Sequence, residues 1–207
     1  AFTAAYHFRR YLHQELPDHF DSFPEPDPLA GHGLPTRAPI PAEIRERWPE
    51  ADLEVLTDRP VTEALHMVDG SVGPTETRGG ERAARRRLEE FLDGRLDAYG
   101  ERRNDPDSDG TSGLSPYLHF GHISVHEVVD AVLRFVDWAP DRVEPGARGR
   151  REGWWGVRPS VESFLDELVT WREVGFNGAV HLPEYERYES LPDWARQTLA
   201  EHADDPR

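Results

Sequence analysis

Hydrophobic and polar positions follow the period of a helix along most of this chain. Phe2, Tyr6, Phe8, Leu12 and Leu16 recur at near-helical spacing and predict an amphipathic helix over 3–16, ended by Pro17. Residues 17–41 hold Pro24, Pro26, Pro28, Pro35, Pro39 and Pro41 among Asp and Gly, which predicts an extended linker. Two short elements are expected near 42–48 and 60–68, with a loop from Gly70 to Gly80. The strongest pattern runs from Glu81 to about Tyr99, where Leu88, Phe91, Leu92, Leu96 and Tyr99 share one face and charges take the other. Arg102-Arg103-Asn104-Asp105-Pro106 stops it, and a polar loop leads to Gly110. Ser115 then marks a helix start, with Pro116 at the first helical position. Further helices are predicted from Ser124 to Phe135, from Ser160 to about Val174, and from Pro192 to His202. Between them, 139–158 reads as a Gly- and Arg-rich insertion around Trp154-Trp155. No strand hairpin, repeat or heptad emerges, so the expected class is mainly α.

Composition narrows the functions. The length of 207 residues allows one sizeable core, or one domain with an attached segment. Six Trp, six Tyr and nine Phe give that core large apolar pieces, which a disordered chain would lack. The absence of Cys excludes disulfides, thiolate metal sites and cysteine nucleophiles. No apolar run approaches the roughly 18 residues of a membrane span. The opening Ala1-Phe2-Thr3-Ala4-Ala5-Tyr6 is no signal peptide and reads as an interior cut point. A net charge of -16 is unfavourable for binding nucleic acid, yet a phosphate footprint is local. Every basic residue is Arg, the better fork for phosphates. The acidic, Lys-free composition fits a salty cytoplasm and a GC-rich genome equally.

Candidate chemistry concentrates in Gly110-Thr111-Ser112-Gly113-Leu114-Ser115-Pro116-Tyr117-Leu118-His119-Phe120-Gly121. Hydroxyls and a flexible Gly stand just ahead of a predicted helix start, where free N–H groups and the helix dipole favour an anion such as a pyrophosphate. The plainer alternative is a loop with an ordinary Ser cap. His119, His122 and His126 lack a third ligand at convincing spacing, so structural or solvent-facing roles and no metal are expected. Acidic stretches 105–109 and 201–205 lack calcium-loop spacing. Arg148, Arg150 and Arg151 beside Trp154-Trp155 suit either a nucleic-acid contact or an insertion that packs its own Trp pair.

Gly-Thr-Ser-x-Leu-Ser-Pro-Tyr-Leu-x-Phe-Gly resembles the flavin-phosphate segment of the photolyase/cryptochrome family. Further segments match in order: Gly79-Gly80-Glu81 with Leu88, Phe91 and Leu96; Tyr99 with Arg103-Asn104-Asp105-Pro106; and Ser163-Phe164-Leu165-Asp166-Glu167-Leu168-Val169-Thr170-Trp171-Arg172-Glu173. Tyr188 to Arg196, His202 and Asp205-Pro206-Arg207 are similar to the class II branch of cyclobutane-dimer photolyases. Trp171 stands where class II members often have Arg, and Gly175-Phe176-Asn177-Gly178 also departs from their wording.

The resemblance implies a helical FAD-binding domain, incomplete at its C-terminal end. Residues 1–35 would be a connector helix and linker after a missing N-terminal α/β antenna domain, and 36–207 the N-terminal portion of the FAD domain. Tyr99, Thr111, Ser112, Gly113, Leu114 and Ser115 would contact FAD, and Arg103 and Arg172 DNA. Glu167 would hydrogen-bond the damaged pyrimidines, and Trp171, four residues on, would stack on a flipped base or the flavin edge. Both are expected to face the hollow that loop 111–115 faces. The implied activity is that of a deoxyribodipyrimidine photolyase: reduced FAD absorbs light and passes an electron to a pyrimidine dimer. The antenna pigment is unspecified. The implied partner is UV-damaged DNA, met by a monomer in a prokaryotic cytoplasm, and these residues alone are expected to retain FAD weakly or not at all. Alternatives are a cryptochrome-type photosensor and a non-catalytic helical interaction module.

Overall fold

The computed structural model describes residues 2, 4–20, 23–25, 27–33, 38–51, 71 and 75–205. Two compact units emerge: 1–23 with 80–207, and 24–79. The expected element near 60–68 and the boundary at residue 35 lie outside the described residues. In the smaller unit, helix α2 (Ala42–Arg47) follows Pro41. Beyond it, the Arg47 guanidinium lies 4.7 Å from the centre of the exposed Trp48 ring.

The larger unit is helical, and no strand occurs among the described residues. Helix α1 (Ala5–Glu15) leads into a 3₁₀ turn at Leu16–His19 that Pro17 opens. Helix α3 (Glu81–Gly94) buries Ala84, Leu88 and Phe91, which recur at helical spacing. A 3₁₀ turn (Leu96–Ala98) buries Leu96 and passes to α4 (Tyr99–Arg102). After loop 103–114 come the short α5 (Ser115–His119) and α6 (Val125–Phe135). The Ser124 hydroxyl caps α6 by accepting from the Glu127 N–H at 3.0 Å. Glu127 in turn meets Arg85 Nε at 2.6 Å, tying α6 to α3.

The next helical run is α7 (Pro159–Leu165), a π-helical stretch (Asp166–Trp171) and α8 (Arg172–His181). Helix α9 (Asp193–Glu201) comes after a further 3₁₀ turn. Val161, Phe164 and Leu165 of α7 meet Phe91, Tyr99, Val128 and Val132 in one buried cluster. Phe91 and Phe164 pack with ring centroids 4.7 Å apart, and Tyr99 stands edge-on to Phe164 at 5.2 Å. Helices α4 and α7 approach closely where Gly100 faces Ser160, whose hydroxyl donates to Asp97 O at 2.6 Å.

Several expected boundaries move. The helix expected over 81–99 breaks at Arg95, which leaves helical geometry (φ -126°, ψ -21°) right after Gly94, a poor helix former. Ser115 is the first residue of α5 and Leu114 holds the capping position, one place earlier than expected. The helix expected to stop near Val174 continues through Gly175 and Gly178 to His181. Its end is set by Pro183, which disfavours helical geometry at Leu182 (φ -109°, ψ 95°). In α1 the buried positions are Phe8, Arg9 and His13, while Phe2 and Tyr6 are exposed. Trp154 and Trp155 are almost fully buried, 5.0 Å apart and edge-on, so the insertion packs its own Trp pair.

Candidate functional site

Loop 103–114 folds back on the helix it leaves. Ser108 donates to Arg102 O at 3.2 Å, and a Cβ at Gly110 would stand 2.4 Å from that oxygen. Only Gly permits that approach. Arg87 of α3 donates through Nε to Ser112 O at 2.9 Å, and its Nη2 lies 3.5 Å from Asp109. Arg95 also meets Asp109, at 2.5 Å. Gly113 takes the left-handed conformation (φ 66°) against the Arg87 guanidinium, which a Cβ would meet at 2.3 Å. Ser112 Oγ accepts from the Leu114 N–H at 3.3 Å. Leu114 is buried, whereas Thr111 and Ser115 are exposed. The loop therefore offers hydroxyls and main-chain amides beside a guanidinium, a donor set suited to a phosphate.

A second group joins α4 to the π turn. Arg103 Nη1 lies 2.5 Å from Glu167 Oε1, and the guanidinium carbon stands 5.7 Å from the Tyr99 ring centre. Burial works to lower the Arg103 pKa, but hydrogen bonds and charge from Glu167 and Tyr99 outweigh it and hold it above the usual value. Burial also raises the Tyr99 phenol, against the hydrogen bond and charge of Arg103.

Trp171 is 45% exposed and lines a cleft of about 350 Å³ with Phe2, Phe8, Val174, Asn177 and Leu182. Neither Glu167 nor residues 111–115 are among the residues that line that cleft. Arg172 pairs with its neighbour Glu173 and lies over Phe176 at 4.6 Å.

No family model matches the chain. A deoxyribodipyrimidine photo-lyase of Potorous tridactylus is 29% identical over 199 residues, covering 96% of this chain and 31% of that one. The photo-lyase of Oryza sativa subsp. japonica is 36% identical over 118 residues, 56% of this chain and 20% of its own. Cryptochrome-1 of Arabidopsis thaliana is 43% identical over 60 residues, 28% of this chain and 9% of its own. The chain belongs to the photolyase/cryptochrome family. It spans less than a third of the length of these curated relatives.

Within this photolyase/cryptochrome chain, the structure brings together Tyr99, Arg103 and Glu167, which lie up to 68 positions apart. It places Thr111 to Ser115 in one loop beside Arg87 and puts Trp171 on the cleft. Among the described residues no three His, Asp or Glu side chains gather as metal ligands. His122 instead accepts from the Gly80 N–H at 3.1 Å.

A set of buried polar residues was missed by sequence reasoning. Arg9 forks onto Asp166 with Nε–Oδ1 at 2.8 Å and Nη2–Oδ2 at 3.0 Å. His13 stacks on Trp154 at 4.1 Å and accepts from the Gly149 N–H at 3.2 Å. Glu162 is 2% exposed and receives the Val157 N–H at 3.5 Å, with the Trp155, Gly156 and Gly153 amides also directed at it. One signal was available. Glu162 and Asp166 are four apart, in step with the apolar Val161 and Leu165, where an amphipathic helix has no solvent for acids.

Proposed function

We propose that this chain is part of a flavin-dependent, light-driven DNA-repair enzyme that splits cyclobutane pyrimidine dimers. The observation that carries the reading is the cluster of Tyr99, Arg103 and Glu167: three residues assigned roles by family resemblance, two from one segment and the third from another 64 positions beyond Arg103, meet at one place. The family's cofactor suits the donor set of loop 111–115, whose hydroxyls, amides and neighbouring Arg87 match the phosphates of FAD.

The chemistry supplied by reduced FAD, when bound, is donation of one electron to the dimer after absorption of light. The chain's own residues bind, orient and donate. Thr111, Ser112 and Ser115 hold phosphate oxygens, with the turn at Gly113 presenting its main-chain amide while the Leu114 N–H holds Ser112 Oγ in place. Tyr99, packed on Phe91 and Phe164, supports Arg103 at a fixed height. Arg103 takes a phosphate of UV-damaged DNA, and Glu167 hydrogen-bonds the damaged pyrimidines. Trp171 offers an exposed aromatic face to a flipped base.

The test is flavin content. Changing Thr111 and Ser115 together to Ala in the full-length protein should lower the FAD that copurifies. Unchanged FAD would overturn the assignment of the loop. The match to a cryptochrome favours one second reading, a blue-light photosensor with the same cofactor loop, which would take up flavin yet split no dimers in light.

A further inference from the structure

Helix α1 grips the π turn at both ends. At the start, the buried Arg9 guanidinium forks onto Asp166, itself 4% exposed, with Arg151 Nε a further 3.9 Å from the same carboxylate. At the end, Ala5 and Phe8 of α1, with Phe2 and Ala4 just before it, line the same cleft as Trp171. Glu167 comes directly after Asp166 and reaches the other way, to Arg103. A π turn is a rare, strained insertion in a helix, and its extra residue can be relocated only by turning the side chains it passes by about 100°. Buried ion pairs contribute little net stability, because desolvation offsets their attraction; in some proteins they instead select one arrangement among near neighbours.

We propose that Arg9 is a positioning residue: its fork onto Asp166 holds the π turn in register, so that Glu167 faces Arg103 while Trp171 faces the cleft. Removing the fork lets the bulge slide along 166–171, and the two side chains lose their fixed directions. The consequence for repair rests on the function proposed above; the geometric claim does not.

The test uses the full-length protein with Arg9→Lys, and with Arg9→Met and Asp166→Leu together. The double change removes both charges at once, so no ion is left buried alone. The expected result in the double variant is amide exchange at 166–171 ~tenfold faster than in the parent, with a displaced or doubled Trp171 indole resonance. Dimer splitting per absorbed photon falls several-fold at unchanged flavin content. Arg9→Lys keeps the charge without the fork and gives an intermediate result on all three readings. If the double variant does not fold, Arg9→Lys carries the same comparison. Parent-like exchange and a parent-like Trp171 resonance in a folded variant overturn the proposal. A displaced Trp171 with undiminished splitting overturns its catalytic half. A displaced Trp171 in a protein whose parent splits no dimers upholds the positioning and overturns the repair reading.

Discussion

Arg103 and Glu167 are ion-paired across two helical segments, and the same guanidinium packs near the face of Tyr99. Arg103 is thus a cation with one protein partner already in place. If it also takes a DNA phosphate, Arg103→Ala should weaken binding to all sequences alike and reduce the slope of log affinity against log salt by about 1. Glu167→Ala should leave that slope intact and lower dimer splitting per photon, by roughly tenfold or more if it stabilises charge on the lesion. Binding titrations at several salt concentrations, with yield measurements, separate the two roles. An unchanged slope for Arg103→Ala contradicts the phosphate assignment.

Two buried groups pull stability in opposite directions with pH. Burial, then the charge of Arg9, lowers the His13 pKa from 6.5 to about 4, against Asp166. The unfolded chain therefore binds this proton first, and stability falls as pH drops from 6.5 towards 4. Burial raises the Glu162 pKa from 4.5 to about 7, against the amides of Val157, Trp155, Gly156 and Gly153. Its unfolded form ionises first, so stability falls as pH rises from 4.5 to 7. The two slopes, each at most about 1.4 kcal/mol per pH unit, offset one another over the shared window. His13→Gln should expose the falling slope of Glu162, and Glu162→Gln that of His13. Urea denaturation at pH 5, 6 and 7 reads both, and parallel profiles for the two variants would contradict this account.

The loop glycines differ in what surrounds them. A Cβ at Gly110 meets the Arg102 carbonyl at 2.4 Å, a backbone atom that cannot move alone. At Gly113 the obstacle is the flexible end of Arg87, although the φ of 66° adds strain of roughly 1–2 kcal/mol for any other residue. Gly110→Ala should therefore lower the Tm more than Gly113→Ala, and calorimetry of the two checks the order.

The chain carries a formal net charge of -16, and mutual repulsion opposes the compact state. Among the described residues most ion pairs are exposed, such as Arg86 with Glu90 at 3.9 Å, and give little in return. Raising salt from ~0.01 M to ~1 M shortens the screening length from about 30 Å to 3 Å, so the Tm should rise over that range. A Tm that falls steadily with added KCl would show that repulsion is not limiting.

Much of the fold was legible because Leu88 and Phe91, Val128 and Val132, and Val161 and Leu165 carry helical periodicity, and Pro17 and Ser124 mark ends locally. The path of 166–171 was not legible. A π turn leaves no periodic mark, and its anchor, Arg9, is 157 positions from Asp166. The polar Arg9, His13, Glu162 and Asp166 belong on a solvated face by residue type, and only tertiary pairing makes their burial tolerable. In the candidate site, the hydroxyls of 111–115 stood out as a dense local motif. Arg87 beside them did not, being one Arg among several on a charged helix face.

The most direct measurement is light-dependent loss of pyrimidine dimers from UV-irradiated DNA mixed with the purified full-length protein, against a dark control. Splitting under blue or near-UV light that is absent in the dark, and that is lost together with bound FAD when Thr111 and Ser115 become Ala, is the predicted result. Dimers that persist in the light while reduced flavin is bound would contradict it.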